Sequence, residues 1–350
     1  MNEAYLETAV SFNPVLSKEG AWPLEDGRWR MVIEAPEARE ISIRLDEKVY
    51  PFTKDAEGTW TLEFKPEPGF WFFFLNIDGA QVVHPAIPIG FGYSRPMNFI
   101  NVVGAEDEFW LCRDVPHGFV VQDYYPSKVT GRVESCLVYL PPKYFAENKT
   151  YPVLYLQHGH GENETTWIHQ GKTNWIMDNL LAEGKAREMI VVMANGMVQV
   201  DGQVRSDRFT QLLVEDLIPF IQGRYRASDK REDRAMAGLS MGSVQTSITT
   251  MTHPELFAYI GLFSGFLRNI FPDDNVHLKA MDDKAKFDST YKVFFRGCGD
   301  RDQFLKTFLE DDEIVKEKGV REDRHLYHGG HVWGVWRECL RDYAPQLFRD

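Results

Sequence analysis

Six short runs, at 136–140, 153–157, 190–193, 235–237, 259–263 and 293–295, are apolar with little polar alternation inside them. A strand with one wet face alternates with period two, so runs of this kind belong to strands covered on both faces. Between them lie stretches of helical periodicity, notably 174–183, 209–225 and 303–318. Strand and helix alternating in this way over about 200 residues call for a doubly wound, largely parallel sheet with helices on both sides.

The fourth run leads into Arg234 to Ser243, reading RAMAGLSMGS. Gly238, Ser240 and Gly242 form a G-x-S-x-G elbow between a strand and a helix, with glycines two residues either side of the serine because side chains there would clash with the turn. Such a turn lifts the hydroxyl clear of the backbone and points a helix N-terminus at any charge that develops beside it. Ser240 is therefore the candidate nucleophile.

A nucleophilic serine needs an oxyanion site, a base and an acid. Met241, the residue after Ser240, supplies one backbone N–H, and His158-Gly159-His160-Gly161 at the end of the second run offers the other from Gly159, His160 or Gly161. Two histidines at i and i+2 also suggest a metal, but no third ligand stands at matching spacing, so neither metal nor cofactor is expected. His158, between an apolar strand and a glycine, reads as a core histidine. Three histidines compete as base in HLYHGGHVWGVWRECL. His325 sits in a strand-like run and His328 precedes the glycine pair. His331 follows that pair, just ahead of the helical period Trp333, Trp336, Leu340, and is preferred. The acid must lie between serine and histidine, and Asp300 and Asp302 in GCGDRDQF both qualify on geometry.

From residue 105 to 350 the chain resembles the esterase-D-like α/β-hydrolases, in particular the carbohydrate esterases that include feruloyl and acetyl-xylan esterases and their siderophore-esterase cousins. The resemblance rests on VYLPPKY at 138–144, LQHGHGENETTW at 156–167, MDNLLAEGK at 177–185, VVMANG at 191–196, LIPFIQGRY at 217–225, the elbow itself, and GGHVWGVWR at 329–337. It implies an acid in a C-G-x-x-D pattern, which falls on Cys298, Gly299 and Asp302. It also implies a third glycine after the elbow, where this chain has Ser243. The expected fold is thus an α/β-hydrolase. The expected activity is a serine esterase acting through an acyl-enzyme on feruloyl esters of xylan oligosaccharides, with acetyl esters second. A siderophore esterase and a non-catalytic carbohydrate-binding protein are the alternatives. The segment 266–290 is expected to cap the acyl pocket, with Trp167, Phe266 and Trp333 lining it.

The first hundred residues read differently. Trp29, Met31 and Ile33 alternate with polar neighbours, as do Ile41, Ile43 and Leu45, and Trp60, Leu62 and Phe64. Turn formers break these runs, and Asp78-Gly79 between 70–77 and 81–84 is a hairpin signal. The expectation is a small all-β sandwich of immunoglobulin-like type over 1–103, a packed linker over 104–130, and the hydrolase over 131–350. The sandwich resembles the glycogen-binding type of module fused to such esterases. Trp22, Trp29, Trp60 and Trp71 are its candidates for stacking on sugar, or for filling its core.

A formal charge of −13 argues against nucleic acid and anionic membranes, which reward clustered Lys and Arg. The four cysteines, Cys112, Cys136, Cys298 and Cys339, form no C-x-x-C pair and suggest neither a disulfide scaffold nor a zinc site. MNEAYLETAV lacks the basic and apolar regions of a secretory signal, so a cytoplasmic location is expected. The expected partner is an acylated oligosaccharide or another small ester; the sequence fixes no oligomeric state.

Overall fold

The apolar runs become the middle of an eight-stranded sheet. It lies in the second of two compact units, which divide after Asp107. The computed structural model describes residues 18–269 and 275–349. Numbered within the second unit, the strands are β1 (Phe119–Pro126), β2 (Val133–Leu140), β3 (Val153–Gln157), β4 (Ile190–Ala194), β5 (Arg234–Leu239), β6 (Tyr259–Phe263), β7 (Val293–Gly299) and β8 (Asp323–Tyr327). Their order across the sheet is β1-β2-β4-β3-β5-β6-β7-β8. β2 runs antiparallel to β1 and β4, and every other neighbouring pair is parallel. This is the α/β-hydrolase arrangement expected from the sequence.

Every residue of β3, β4, β5 and β6 is buried, which is why these strands carry no polar alternation. Phe209, Leu213, Leu217 and Ile221, from the helical stretch Phe209–Arg224, pack with Val138, Val192 and Met236 into one core layer. Four further helices matter for the site: α1 (Thr173–Ala182), α2 (Met241–Thr252), α3 (Leu305–Lys318) and α4 (Trp333–Tyr343). The chain passes from β3 to β4 on one side and then crosses to β5 on the other. The carboxyl ends of β3 and β5 therefore flank the point where strand order reverses, the place where open α/β sheets hold their ligands.

Two expectations need correction. Residues 119–126, read as linker, form the edge strand β1. Its inward positions are Val121, Asp123 and Tyr125, and the charged member conceals the alternation. Asp123 is accommodated there because Arg224 Nε and Tyr225 Oη each lie 3.0 Å from its Oδ2. The segment 266–290, read as a cap, places Leu267, Met281 and Phe287 in a core layer with Met251, Ile260 and Leu262. Residues 270–274 of it, like 1–17 of the expected sandwich, lie outside the described residues.

Among the described residues the first unit contains three antiparallel sheets around one core built from Met31, Ile33, Ile41, Ile43, Leu45, Leu62, Phe64 and Leu75. All but Leu75, which lies in the run 70–77, are apolar members of the alternating runs. Trp29 and Trp60 are buried in that core, while Trp22 and Trp71 are half-buried. Among the described residues no helix is long and apolar enough to cross a membrane.

At the Asp78-Gly79 hairpin Ile77 pairs with Ala80, and both turn residues have positive φ, 50° and 86°. A two-residue turn of this hand matches the right-handed twist of the strands. Gly79→Ala places a Cβ in the left-handed region with nothing around it to relieve the strain. It is expected to destabilise the first unit by about 1 kcal/mol, read from its urea midpoint.

Candidate active site

Ser240 stands between β5 and α2 with φ 51° and ψ −117°, a backbone conformation that L-residues rarely adopt. Crowding holds it there. A Cβ on Gly238 would lie 2.4 Å from Gly242 O, and one on Gly242 would lie 2.6 Å from His158 O and 2.7 Å from Gln157 O. Both elbow glycines are thus fixed by backbone pressed on backbone, and the second contact seats the turn on the end of β3. Ser240 is the residue before the first turn of α2, so the Met241 N–H has no acceptor within the helix.

The loop after β3 is a tight turn closed by Glu162 N–H donating to Gly159 O at 3.3 Å. It abuts the elbow, since a Cβ on Gly159 would be 3.4 Å from Ser240 Cβ. Its three candidate amides are not equivalent. Gly159 N–H donates to Glu162 Oε2 at 2.9 Å, and Gly161 N–H points at Met197 Sδ at 3.5 Å. The His160 N–H is the one left to pair with the Met241 N–H. Partial burial pushes the Glu162 carboxyl up to about 8, against the opposing effect of the Gly159 N–H. Sequence reasoning passed over Glu162, whose only signal is its place directly after the glycine turn.

His158 is a core residue. Gly196 N–H donates to its Nε2 at 2.9 Å, which puts the ring proton on Nδ1, and Nδ1 donates to Gly159 O at 2.8 Å. Burial draws its pKa down to about 4, so it stays neutral as a brace between the loop after β3 and the loop after β4. With both nitrogens engaged, it has none for a metal.

The acid and the base come from the loops after β7 and β8. Backbone bonds zip these loops together, Asp300 N–H to Tyr327 O and Arg301 N–H to Gly329 O, both at 2.8 Å. The two candidate aspartates take different histidines. Asp302 Oδ2 is 2.9 Å from His331 Nδ1, with side chains 0% and 17% exposed. Asp300 Oδ2 is 3.0 Å from His328 Nδ1, with side chains 45% and 78% exposed. Desolvation works against charge on Asp302. The hydrogen bond and charge of His331, with the Phe304 N–H, outweigh it and hold the carboxyl below its ordinary value. Asp300 is lowered too, by the Gly329 N–H and His328, out in solvent.

Aromatic rings run in one chain through His331. Trp167 meets Trp333 at 5.1 Å, Trp333 meets Trp336 at 5.1 Å, and Trp336 meets His331 at 5.0 Å. Phe304 continues the chain at 5.0 Å and Phe266 follows at 4.8 Å. Trp167 and Trp333 are 0% and 1% exposed, so the two tryptophans expected to line the pocket are core that supports His331. Trp167 Nε1 is spent on Gln157 O. Their bulk and helical spacing resemble a pocket lining in sequence, and only packing shows which face they present. Phe304, half-buried and two residues beyond Asp302, was missed; its ring stands beside His331, with the buried ring of Phe266 behind it.

Ser243, where the family resemblance implies glycine, has a defined task. Its Oγ donates to Ser240 O at 2.6 Å and accepts from Phe266 N–H at 2.8 Å. A Cβ on Gly265 would fall 1.8 Å from that Oγ, so Ser243 fits because the facing residue is glycine.

The Esterase family profile, described as "Putative esterase", matches residues 127–347. An endo-1,4-β-xylanase/feruloyl esterase of Xylanibacter ruminicola is 34% identical over 96% of this chain and 47% of its own length. The chain thus spans about half of that relative. Among solved structures, a ferulic acid esterase is 27% identical with a TM-score of 0.58, covering 65% of this chain and 97% of that one. The ferric enterobactin esterase of Salmonella typhimurium is 12% identical with a TM-score of 0.61 over 94% of this chain and 95% of its own, a likeness of fold.

Glu162 sets a pH signature. Its folded value near 8 lies above the ordinary 4.5, so between these limits the folded protein holds more protons than the unfolded chain, and stability falls as pH rises through that window. Glu162→Gln keeps an acceptor for Gly159 N–H and removes the ionisation. The melting temperature of the wild type minus that of the variant is expected to fall between pH 5 and 8 in thermal scans. A constant difference would refute the assignment.

Proposed function

The chain belongs to the Esterase family, and on that footing we propose that it is a serine carboxylesterase acting on feruloyl esters of xylan oligosaccharides. The observation that carries the reading is the hydrogen bond between buried Asp302 and His331, on loops at the same sheet edge as the Ser240 elbow. Asp302 fixes the His331 proton on Nδ1 and leaves the Nε2 lone pair for the serine. Ser240 Oγ passes its proton to His331 and attacks the ester carbonyl. The oxyanion forms between the N–H groups of Met241 and His160. His331 returns the proton to the departing sugar hydroxyl. Water, deprotonated by His331, then cleaves the acyl-enzyme, releasing the carboxylic acid and restoring Ser240.

Half-buried Phe304 beside His331 favours an aromatic acyl group over acetyl, because a flat ring gains from edge-to-face contact that a methyl group cannot make. The similarity to the Xylanibacter ruminicola protein supports xylan as the source of the ester. Within this reading the catalytic domain starts at Glu108, because β1 belongs to its sheet, and the preceding unit is the carbohydrate-module-like domain. There Trp22 and Trp71 are the tryptophans still open to a sugar.

Release of ferulate from methyl ferulate, set beside release of acetate from acetylated xylo-oligosaccharide, tests the substrate class. Ferulate is expected to be released the faster; acetate alone would make the enzyme a deacetylase. Ser240→Ala is expected to lower kcat by ~10⁴-fold or more with the fold intact by circular dichroism. Asp302→Asn is expected to cost ~10⁴-fold through the wrong imidazole tautomer, while Asp300→Asn stays within about tenfold of wild type. Equal losses in the two aspartate variants would overturn the choice of acid.

A further inference from the structure

Ahead of β1, outside the elbow and its loops, a second nucleophile, histidine and carboxylate stand in line. Cys112 Sγ lies 4.0 Å from His117 Nε2, and His117 Nδ1 lies 2.9 Å from Asp178 Oδ2. Asp178 is on α1 with its side chain 2% exposed. Its other oxygen accepts from Tyr139 Oη at 2.6 Å and from Gly118 N–H at 2.9 Å, so the carboxylate is held in one place. A buried carboxylate on Nδ1 keeps the His117 proton on that nitrogen and turns the lone pair of Nε2 towards the sulfur. Cys112 and His117 are both exposed, so a solute can reach the thiol.

We infer that Cys112 is a reactive thiol activated by His117 and Asp178, and that it is a site of covalent modification by small disulfides. The Cys112 thiol gives its proton to His117 Nε2. The thiolate attacks one sulfur of the disulfide R–S–S–R, forming Cys112–S–S–R as the original S–S bond breaks. The departing RS⁻ takes up the proton from the imidazolium, so the disulfide is the sole oxidant and one thiol is released per thiol consumed. Asp178, hydrogen-bonded to Nδ1, steadies the imidazolium.

A metal does not account for the cluster. Asp178 binds the ring nitrogen that faces away from Cys112, so carboxylate and thiol share no centre, and among the described residues no group of three or more such side chains could hold an ion. Nearby charges are mutually engaged: Arg113 and Lys185 both pair with Glu183. The other three cysteines do not compete. All are buried, and burial pushes the thiols of Cys136 and Cys298 up to about 12 and that of Cys339 well upward.

The test is labelling of the native protein with dithiobis(nitrobenzoate), followed by absorbance and intact mass, at about pH 6 and about pH 9. At the lower pH the wild type is expected to take up one label about tenfold faster than His117→Ala, a larger thiolate fraction being partly offset by the weaker nucleophilicity of a more acidic thiol. The two rates are expected to converge at the higher pH, where an exposed thiol ionises unaided. Cys112→Ser is expected to lose the label and to keep its ester hydrolysis. Equal rates for wild type and His117→Ala at the lower pH would overturn the inference, as would labelling that survives in Cys112→Ser.

Discussion

The arrangement at the carboxyl edge of the sheet depends on how closely three stretches of backbone approach one another. Gly238 and Gly242 bring the two arms of the elbow together, and Gly242 in turn rests on the carbonyls of Gln157 and His158. That contact sets the position of Ser240 relative to the turn carrying the His160 N–H. It leaves no freedom for a side chain at either glycine, and it forces Ser240 into its strained φ and ψ. The strain is retained because β3, β5 and β6, on which these loops are mounted, are buried throughout. Ser243 fits in the crowded zone because Gly265 opposite carries no side chain.

Polar partners are then chosen by desolvation. Two aspartate–histidine pairs of nearly equal length lie within the same pair of loops. One is in solvent, where screening leaves little directional preference. The other is enclosed, so Asp302 must keep its hydrogen bonds and His331 is held by them. His331 is also gripped by Trp336 and Phe304, which fix its ring plane, while Trp333 and Trp167 carry that support into the core. A similar economy operates at the glycine turn after β3. Glu162 and Met197 occupy two of its three amides, and the remaining one is defined by subtraction.

Sequence patterns expose whatever depends on neighbours along the chain. The buried strands were legible because burial on both faces removes alternation, and the Asp78-Gly79 hairpin because few residues tolerate positive φ. The elbow was legible because steric need for glycine leaves a fixed spacing. The edge strand β1 was not, since Asp123 interrupts its inward face and is satisfied by Arg224 and Tyr225, about a hundred residues away. Nor was the side each tryptophan presents, which depends on which helix meets which. The pairing of Cys112 with His117 and Asp178 escaped notice for the same reason, because a loop and a distant helix supply its parts.

The sequence by itself determined the layered α/β class, the strand-to-helix elbow at Ser240, and a short list of aspartates and histidines later in the chain that could meet. Those follow from spacing and residue type, which local sterics and the period of burial dictate. Only the tertiary structure decided that Asp302 rather than Asp300 meets His331, that the amides of Gly159 and Gly161 are taken by Glu162 and Met197, and that Trp167 and Trp333 are support rather than surface. Each of those choices is made by water exclusion and by contacts between segments remote in the chain, and neither leaves a periodic trace in the sequence.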